Sequence, residues 1–233
     1  MAEQKWVTLR AHDDVAEFLE KVRTLPPVAR SEGRGRLIFA LDATMSRQST
    51  WDTAQKIQAE MFHETAALGG LDVQLVYFRG FNECRASKWA ADPTALARLM
   101  AAVVCRGGNT QIGRVLSHIL REAKAAKVHA AVYAGDAMEE KIDALCARAG
   151  EVGLLGVPLF MFQEGHDRAT ETAYREMARL TRGAYFRFDG TSAKMLRDLL
   201  SAVAVYAAGG RQALEERSQS GEGGARLLLE QLK

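Results

Sequence analysis

Short apolar runs alternate along the chain with amphipathic stretches. Leu37 to Leu41 is an apolar run without polar alternation, which is typical of a strand buried on both faces of a sheet. Helical character follows from Ser49 to Gly70 and again over 93–104 and 111–127. Further strands are predicted at 73–78, 128–133, 157–162 and 184–188, with a short edge strand or hairpin arm at 82–89. This βαβα order predicts an α/β fold, a doubly wound, mostly parallel, Rossmann-like sheet with helices on both faces.

The same pattern divides the chain into three parts. Residues 1–34 are predicted to be an N-terminal helical extension and linker, because an amphipathic helix there is ended by Pro26. Residues 35–208 carry the βαβα pattern and are predicted to form one domain. Residues 209–233 turn polar, contain a Gly- and Ser-rich spacer and end in a short amphipathic segment, so we expect a C-terminal tail.

Charge is balanced in this chain of 233 residues, with 31 Lys and Arg against 29 Asp and Glu. The basic residues are scattered and form no stripe or patch in the sequence. Nucleic-acid binding normally requires such a concentration of positive charge. A nucleic-acid partner is therefore disfavoured.

Cysteine usage and hydropathy predict a cytoplasmic protein. Cys84, Cys105 and Cys146 form no CxxC pair, and an odd number does not suggest a disulfide framework. The first residues show no apolar core of a signal peptide, and no stretch approaches the length of a membrane span. We therefore expect no membrane span and a reducing compartment.

Candidate chemistry begins directly after the first predicted strand. Asp42, Thr44 and Ser46 alternate in the turn that leaves this strand, in an Asp-x-Thr-x-Ser pattern. Ligands of doubly wound sheets bind outside the carboxyl ends of the strands. The alternation lets three oxygen-bearing side chains converge on one point at that edge.

Two further loops are expected to reach the same edge. Thr110 follows Gly107 and Gly108, 68 positions after Asp42, at the amino end of a predicted helix. The glycines allow close backbone approach there. Asp136 lies another 26 positions on, just past the strand predicted at 128–133. The order and placement of these five residues predict one oxygen-rich site.

These five residues resemble the metal-ion-dependent adhesion site of von Willebrand factor A domains, and the resemblance covers roughly 35–208. The chain looks like an intracellular, stand-alone member of bacterial type. The family pattern is Asp-x-Ser-x-Ser, then Thr, then Asp, so this chain departs from it with Thr44 and with Ala137 after the last Asp. Threonine keeps the hydroxyl ligand and adds a methyl group.

The resemblance implies a divalent cation, Mg²⁺ first and Mn²⁺ or Ca²⁺ as alternatives, because oxygen ligands select hard cations. Thr44, Ser46 and Thr110 are then expected to touch the ion, while Asp42 and Asp136 act through water and hydrogen bonds. One coordination position is left for a Glu or Asp of another protein. The resemblance thus implies metal-dependent protein binding, and we expect no catalysis because no general base or nucleophile is evident.

Two other functions remain open at this point. A metal-free scaffold of the same fold would bind partners through other surfaces, such as the N-terminal helix or the C-terminal tail. A haloacid dehalogenase-like, Mg²⁺-dependent phosphatase also has an Asp after its first strand, but its second acid is replaced here by Thr44. A receiver-like phosphoacceptor domain fits less well, because Asp13 and Asp14 fall on a predicted helix.

Two glutamates and three histidines are predicted to have structural roles and not to bind a metal. Glu139 and Glu140 follow Asp136 closely, but acids are common in the first turn of a helix, where they interact favourably with its dipole. We therefore leave them out of the site. His63, His118 and His129 have no second histidine at a ligand spacing, so packed or solvent-facing side chains are expected.

Overall fold

Six strands form one sheet in the computed structural model, which describes residues 34–47, 51–52, 70–188 and 193–219. Each predicted strand is present, with ends shifted by at most two residues, so the predicted α/β class is confirmed. The strands are β1 (Gly35–Asp42), β2 (Leu71–Arg79), β3 (Glu83–Ala90), β4 (Ala130–Gly135), β5 (Leu159–Glu164) and β6 (Tyr185–Phe188).

The spatial order of the strands is β3-β2-β1-β4-β5-β6, so β1 lies in the middle of the sheet. All neighbours are parallel except β2 and β3, which form the antiparallel pair predicted as a hairpin arm. Leu41 of β1 is in register with Tyr77 of β2 and Ala134 of β4. The carboxyl ends of these three central strands therefore meet at one edge.

Five helices accompany the strands in the described part of the chain. They are α1 (Pro93–Ala101), α2 (Ile112–Ala125), α3 (Ile142–Leu154), α4 (Arg168–Leu180) and α5 (Ala193–Gln219). Local sequence starts two of them: the Asp92 carboxylate accepts from Ala95 N before α1, and the Asp167 carboxylate accepts from Thr170 N before α4. Helix α2 begins at Gln111 without a side-chain cap of its own.

Successive residues of β1 pack into two separate hydrophobic cores, because the side chains of a strand point alternately to the two faces of the sheet. Leu37 and Phe39 face the core beneath α1 and α5, whereas Ile38 and Ala40 face the core beneath α2, α3 and α4. All four side chains are at most 1% exposed. This burial on both faces accounts for the continuous apolar run in the sequence.

Helix α5 lies very close to the start of β1. A Cβ atom on Gly35 would sit 2.3 Å from the carbonyl oxygen of Ala207, so only glycine permits this approach. The helix continues past Gly209 to Gln219, with a kink at Gly210, whose φ is 70°. The predicted polar tail therefore begins within a helix, and its residues after Gln219 lie outside the described part.

Some predictions concern residues that are not described. The N-terminal helix and most of the helix predicted from Ser49 to Gly70 lie outside the described residues, although Trp51 and Asp52 are helical. No helix of the described part is long and apolar enough to span a membrane. No disulfide joins the three cysteines, all of which are described.

Candidate metal site

The first loop of the predicted site is organised around Asp42, the last residue of β1. Its side chain is only 3% exposed, and its Oδ1 accepts a hydrogen bond from Thr44 N at 2.7 Å. This bond turns the chain so that Thr44 Oγ1 lies 3.2 Å from Ser46 Oγ. The structure thus brings Asp42, Thr44 and Ser46 together within one turn.

The loop that leads to Thr110 is fixed against the first loop through its backbone. Arg106 N donates to the carbonyl oxygen of Ala43 at 3.0 Å, and Asn109 N donates to that of Gly80 at 3.2 Å. A Cβ on Gly108 would lie 2.0 Å from the same Gly80 oxygen. Glycine is therefore required at 108, which is the close backbone approach that the sequence predicted.

Thr110 in turn is joined to the loop that follows β4. Its amide donates to Glu139 Oε2 at 2.8 Å, and Glu139 N donates to Thr110 Oγ1 at 3.0 Å. A hydroxyl oxygen has two lone pairs and one hydrogen. The bond from Glu139 uses one lone pair of Thr110, which leaves the second for a cation or water.

Glu140 makes a related contact with the start of α2. Its Oε2 accepts from Ile112 N at 2.7 Å and its Oε1 from Gly113 N at 2.8 Å. The carboxylate thereby satisfies two of the unpaired amides that begin every helix. It replaces the side-chain cap that Gln111 does not provide.

The interpretation of Glu139 and Glu140 as first-turn acids of their own helix was wrong. Helix α3 begins only at Ile142, and both carboxylates bind the segment around the start of α2 instead. The favourable interaction of an acid with a helix dipole therefore applies to Glu140 and the start of α2, 27 and 28 positions earlier in the chain. The sequence does show two acids shortly after Asp136, which could have indicated a role near the site. Their spacing did not reveal which residues they bind.

Asp136 follows the end of β4, next to the strand that carries Asp42. It is half-buried, and its carboxylate makes no hydrogen bond or ion pair with any described residue. The next residue, Ala137, is held in place because its carbonyl accepts from Tyr174 Oη at 2.9 Å. Burial, with the neighbouring Tyr174 phenol and Asp42 carboxylate, raises the pKa of Tyr133 well above its ordinary value, so this phenol stays protonated beneath the site.

The donor set fits a hard divalent cation. Six oxygen ligands at the short distances of Mg²⁺ lie about 3 Å from their neighbours around the ion. The 3.2 Å between Thr44 Oγ1 and Ser46 Oγ is close to that separation. Both hydroxyls are neutral, so the two predicted carboxylates would supply the only negative charges of the set.

Histidine and cysteine side chains do not form a metal site in the described part of the chain. No group of three or more His, Cys, Asp or Glu side chains suited to a metal ion occurs among the residues that the structure describes. His118 and His129 are buried, as expected of packed histidines, at 7% and 4% exposure. The candidate site therefore depends on its hydroxyl ligands.

Comparison with known proteins reveals similarity only in three dimensions. No protein-family model matches the chain, and no curated protein matches its sequence. Among solved structures, the VWA domain of SpRpn10 superposes with a TM-score of 0.57 and 13% identity, over 71% of this chain and 95% of that one.

Two longer proteins superpose equally well. Proximal thread matrix protein 1 from the mussel byssus, with a zinc-occupied MIDAS motif, has a TM-score of 0.59 and 15% identity over 76% of this chain. The SpaC pilus adhesin of Lactobacillus rhamnosus GG, in its open conformation, has a TM-score of 0.59 and 10% identity over 78% of this chain. The chain spans 49% of the mussel protein and 31% of the adhesin.

Identities this low establish the architecture, not the ligand. The neighbours nonetheless include one domain named for the fold and one whose adhesion-type site holds a metal. Together with the six-stranded sheet and its single antiparallel edge, they identify the architecture of this chain: it has the von Willebrand factor A fold.

Proposed function

We propose that this chain is a metal-dependent protein-binding module. A divalent cation would be held by Thr44, Ser46 and Thr110, with Asp42 and Asp136 acting through water and hydrogen bonds. The cation would supply a positively charged coordination position to which a Glu or Asp side chain of a partner binds. Such binding is charge-assisted and directional.

One observation carries this proposal. Two neutral hydroxyls, Thr44 Oγ1 and Ser46 Oγ, lie 3.2 Å apart directly beside the buried carboxylate of Asp42. Each hydroxyl oxygen keeps a lone pair beyond the bond between them, and Asp42 holds the turn in place through its bond from Thr44 N. Oxygen groups gathered in this way suit a hard divalent cation, which the two hydroxyls would bind directly.

Exposed apolar side chains around this edge favour a protein as the ligand. Met45, Phe81 and Val104 are 63%, 74% and 60% exposed, and they account for three of the five large exposed apolar residues among the described ones. Met45 follows Thr44, while Phe81 and Val104 lie in the neighbouring loops fixed by Asn109 and Arg106. Apolar side chains with this exposure are typical of interaction surfaces.

We propose Mg²⁺ as the resident ion, because it prefers oxygen ligands and keeps several waters. The similarity to a zinc-occupied site makes zinc the competing ion to test. Binding rather than catalysis is the proposed role, since Thr44 stands where a phosphatase of the haloacid dehalogenase type needs its second acid.

The cytoplasm is the proposed compartment. Its support is the cysteine usage, because Cys84 and Cys146 are partly accessible and form no disulfide in the described structure. The SpaC adhesin shows that a protein with this fold also occurs on pili, so the compartment needs a direct test. Fractionation of cells that produce the tagged full chain would provide it.

The first experiment measures metal binding to EDTA-stripped protein by calorimetry, with Mg²⁺, Mn²⁺, Ca²⁺ and Zn²⁺. Thr44→Val removes the hydroxyl and keeps the shape, so we expect the affinity to fall by at least about tenfold. Thr172→Val removes an exposed hydroxyl on α4 and serves as the matched control. If no divalent ion binds the wild type, the metal-free scaffold becomes the better interpretation.

The second experiment tests the role of the ion in partner binding. Peptides with a single Glu flanked by apolar residues are compared with their Gln counterparts, each with Mg²⁺ and with EDTA. We expect binding only for the Glu peptides, only with metal, and not to Thr44→Val. Equal binding of Glu and Gln peptides would contradict a role for the carboxylate.

A further inference from the structure

A pocket lies away from the candidate metal site, between the edge strand β3 and helix α2. Its volume is about 370 Å³, within the range of pockets for small ligands. Val76 of β2 and Cys84 and Ala86 of β3 form its apolar part. This size exceeds a few water molecules and suits an organic molecule with a short hydrocarbon portion.

The wall contributed by α2 is basic. Arg114, Ser117, His118 and Arg121 lie on one face of the helix at positions i, i+3, i+4 and i+7, and all four border the pocket. Ser117 Oγ also accepts from Arg148 Nη1 at 2.8 Å, which brings a further guanidinium next to the pocket.

Three arginines line the pocket. Arg85 of β3 pairs with the Glu83 carboxylate at 2.8 Å, whereas the two arginines of α2 are held by neutral acceptors. Arg114 donates to the carbonyl oxygen and the Oδ1 of Asn82, at 2.7 and 3.0 Å. Arg121 Nη2 donates to His118 Nδ1 at 2.6 Å. An arginine only donates, so His118 Nδ1 is the acceptor and its Nε2 carries the hydrogen that goes to Gln74 Oε1, 2.8 Å away. His118 is therefore neutral in this network.

No carboxylate of the described residues forms an ion pair with Arg114 or Arg121. Glu83 pairs with Arg79 and with the pocket residue Arg85. Glu122 pairs with Arg36, and its Oε1 lies 4.0 Å from His118 Nε2. Glu140 accepts from the start of α2. Of the three guanidinium groups at the pocket, that of Arg85 is balanced by Glu83. Those of Arg114 and Arg121 are oriented by hydrogen bonds and form no ion pair with a described carboxylate.

We propose that this pocket binds a small molecule with two or more oxyanion groups, carboxylates or phosphates, one for the guanidinium of Arg114 and one for that of Arg121. The arginines are oriented before the ligand arrives, so binding costs little side-chain entropy. Guanidinium forks match the geometry of both kinds of oxyanion. This site is independent of the proposed metal site, because none of its residues belongs to the metal-site loops.

The test uses the full chain in EDTA, so that no divalent ion contributes. Thermal melting is followed with pyrophosphate, with glutarate, and with chloride at the same ionic strength. We expect pyrophosphate, glutarate or both to raise the melting temperature beyond the chloride effect. Which one does so distinguishes a phosphate ligand from a carboxylate ligand.

Variants and a local readout assign the effect to this pocket. We expect R114Q/R121Q to weaken the effective anion by at least about tenfold, whereas Arg98→Gln, an exposed arginine on α1, leaves it unchanged. The anion should also slow alkylation of Cys84, which lines the pocket, and not that of Cys146 on α3. A response equal to chloride, or an anion that protects neither or both cysteines, would overturn the proposal.

Discussion

Thr110 and Glu139 form two reciprocal hydrogen bonds, in which each residue donates its backbone amide to the side chain of the other, at 2.8 and 3.0 Å. This arrangement fixes a predicted ligand, the Thr110 hydroxyl, to the loop that carries Asp136. The geometry of the candidate site therefore depends on a residue that is not one of its predicted ligands.

Glu139→Ala should weaken metal binding although it removes no predicted ligand. Loss of the Oε2 acceptor removes one of the two hydrogen bonds between these loops, so Thr110 is held only by the bond from the amide of residue 139 to its hydroxyl. We expect the affinity for the bound divalent ion to fall by about tenfold, the lower end of outer-sphere effects. Calorimetry measures the change, and Glu151→Ala on α3 is the exposed control. Equal affinities in the two variants would contradict a positioning role.

Gly108→Ala is expected to disturb the site, whereas Gly107→Ala is expected to be tolerated. The new Cβ at 108 would sit 2.0 Å from the Gly80 carbonyl oxygen, and nothing lies within 4 Å of the one at 107. Overpacking of this kind costs about 1–3 kcal/mol. Urea unfolding gives the stability of both variants, and equal midpoints would show that the two loops separate easily.

Glu140→Ala should destabilise the protein more than Glu139→Ala does. Its carboxylate accepts from two amides at the start of α2, at 2.7 and 2.8 Å. Loss of this cap is expected to cost about 1–3 kcal/mol of unfolding free energy. Glu140→Gln keeps one accepting oxygen and should lie between wild type and Glu140→Ala. If the unfolding free energy of Glu140→Ala equals that of wild type, water replaces the carboxylate as the cap of α2.

Stability is expected to fall as the pH is lowered from about 6.5 to 4, in part because of His129. Burial, with the charges of Lys127 and Arg36, lowers the pKa of His129 to about 4. The unfolded chain, with a pKa near 6.5, binds this proton first, so stability is full above 6.5 and lost as the pH falls. The loss amounts to at most about 3 kcal/mol.

The variant His129→Asn tests this assignment. Arg36 N donates to His129 Nδ1 at 3.0 Å, and an asparagine Oδ1 can accept the same bond without titrating. We expect the urea midpoint of the variant to change less between pH 7.5 and 4.5 than that of wild type. His166→Asn, at an exposed position, should retain the wild-type slope.

The fold was largely predictable because its signals are local. The apolar run from Leu37 to Leu41 indicates a strand buried on both faces, and β1 is buried on both faces. Asp42 and Asp136 follow strands that are adjacent in the sheet, so strand order alone brings their loops to one edge. The placement of the predicted site residues thus follows from sequence pattern and topology.

The contacts that support the site could not be predicted, because they join residues that are distant in the sequence. Glu139 and Glu140 bind residues 27 to 29 positions away, and the choice of partner depends on how the loop after β4 faces the start of α2. His118 and Arg121 likewise depend on Gln74, a buried polar residue of β2 that an apolar-run analysis assigns to the core. Side-chain pairs between distant segments require the register of the folded sheet.

The close packing of Gly35 against Ala207 has a consequence for synthesis of the protein. The core beneath α5 needs Leu200, Val203 and Tyr206, which the ribosome adds after all six strands have been made. Until then one face of the nascent sheet exposes Leu37 and Phe39 to water, a surface that chaperones recognise and that favours aggregation. Completion of this core therefore requires that helix α5 has emerged from the ribosome.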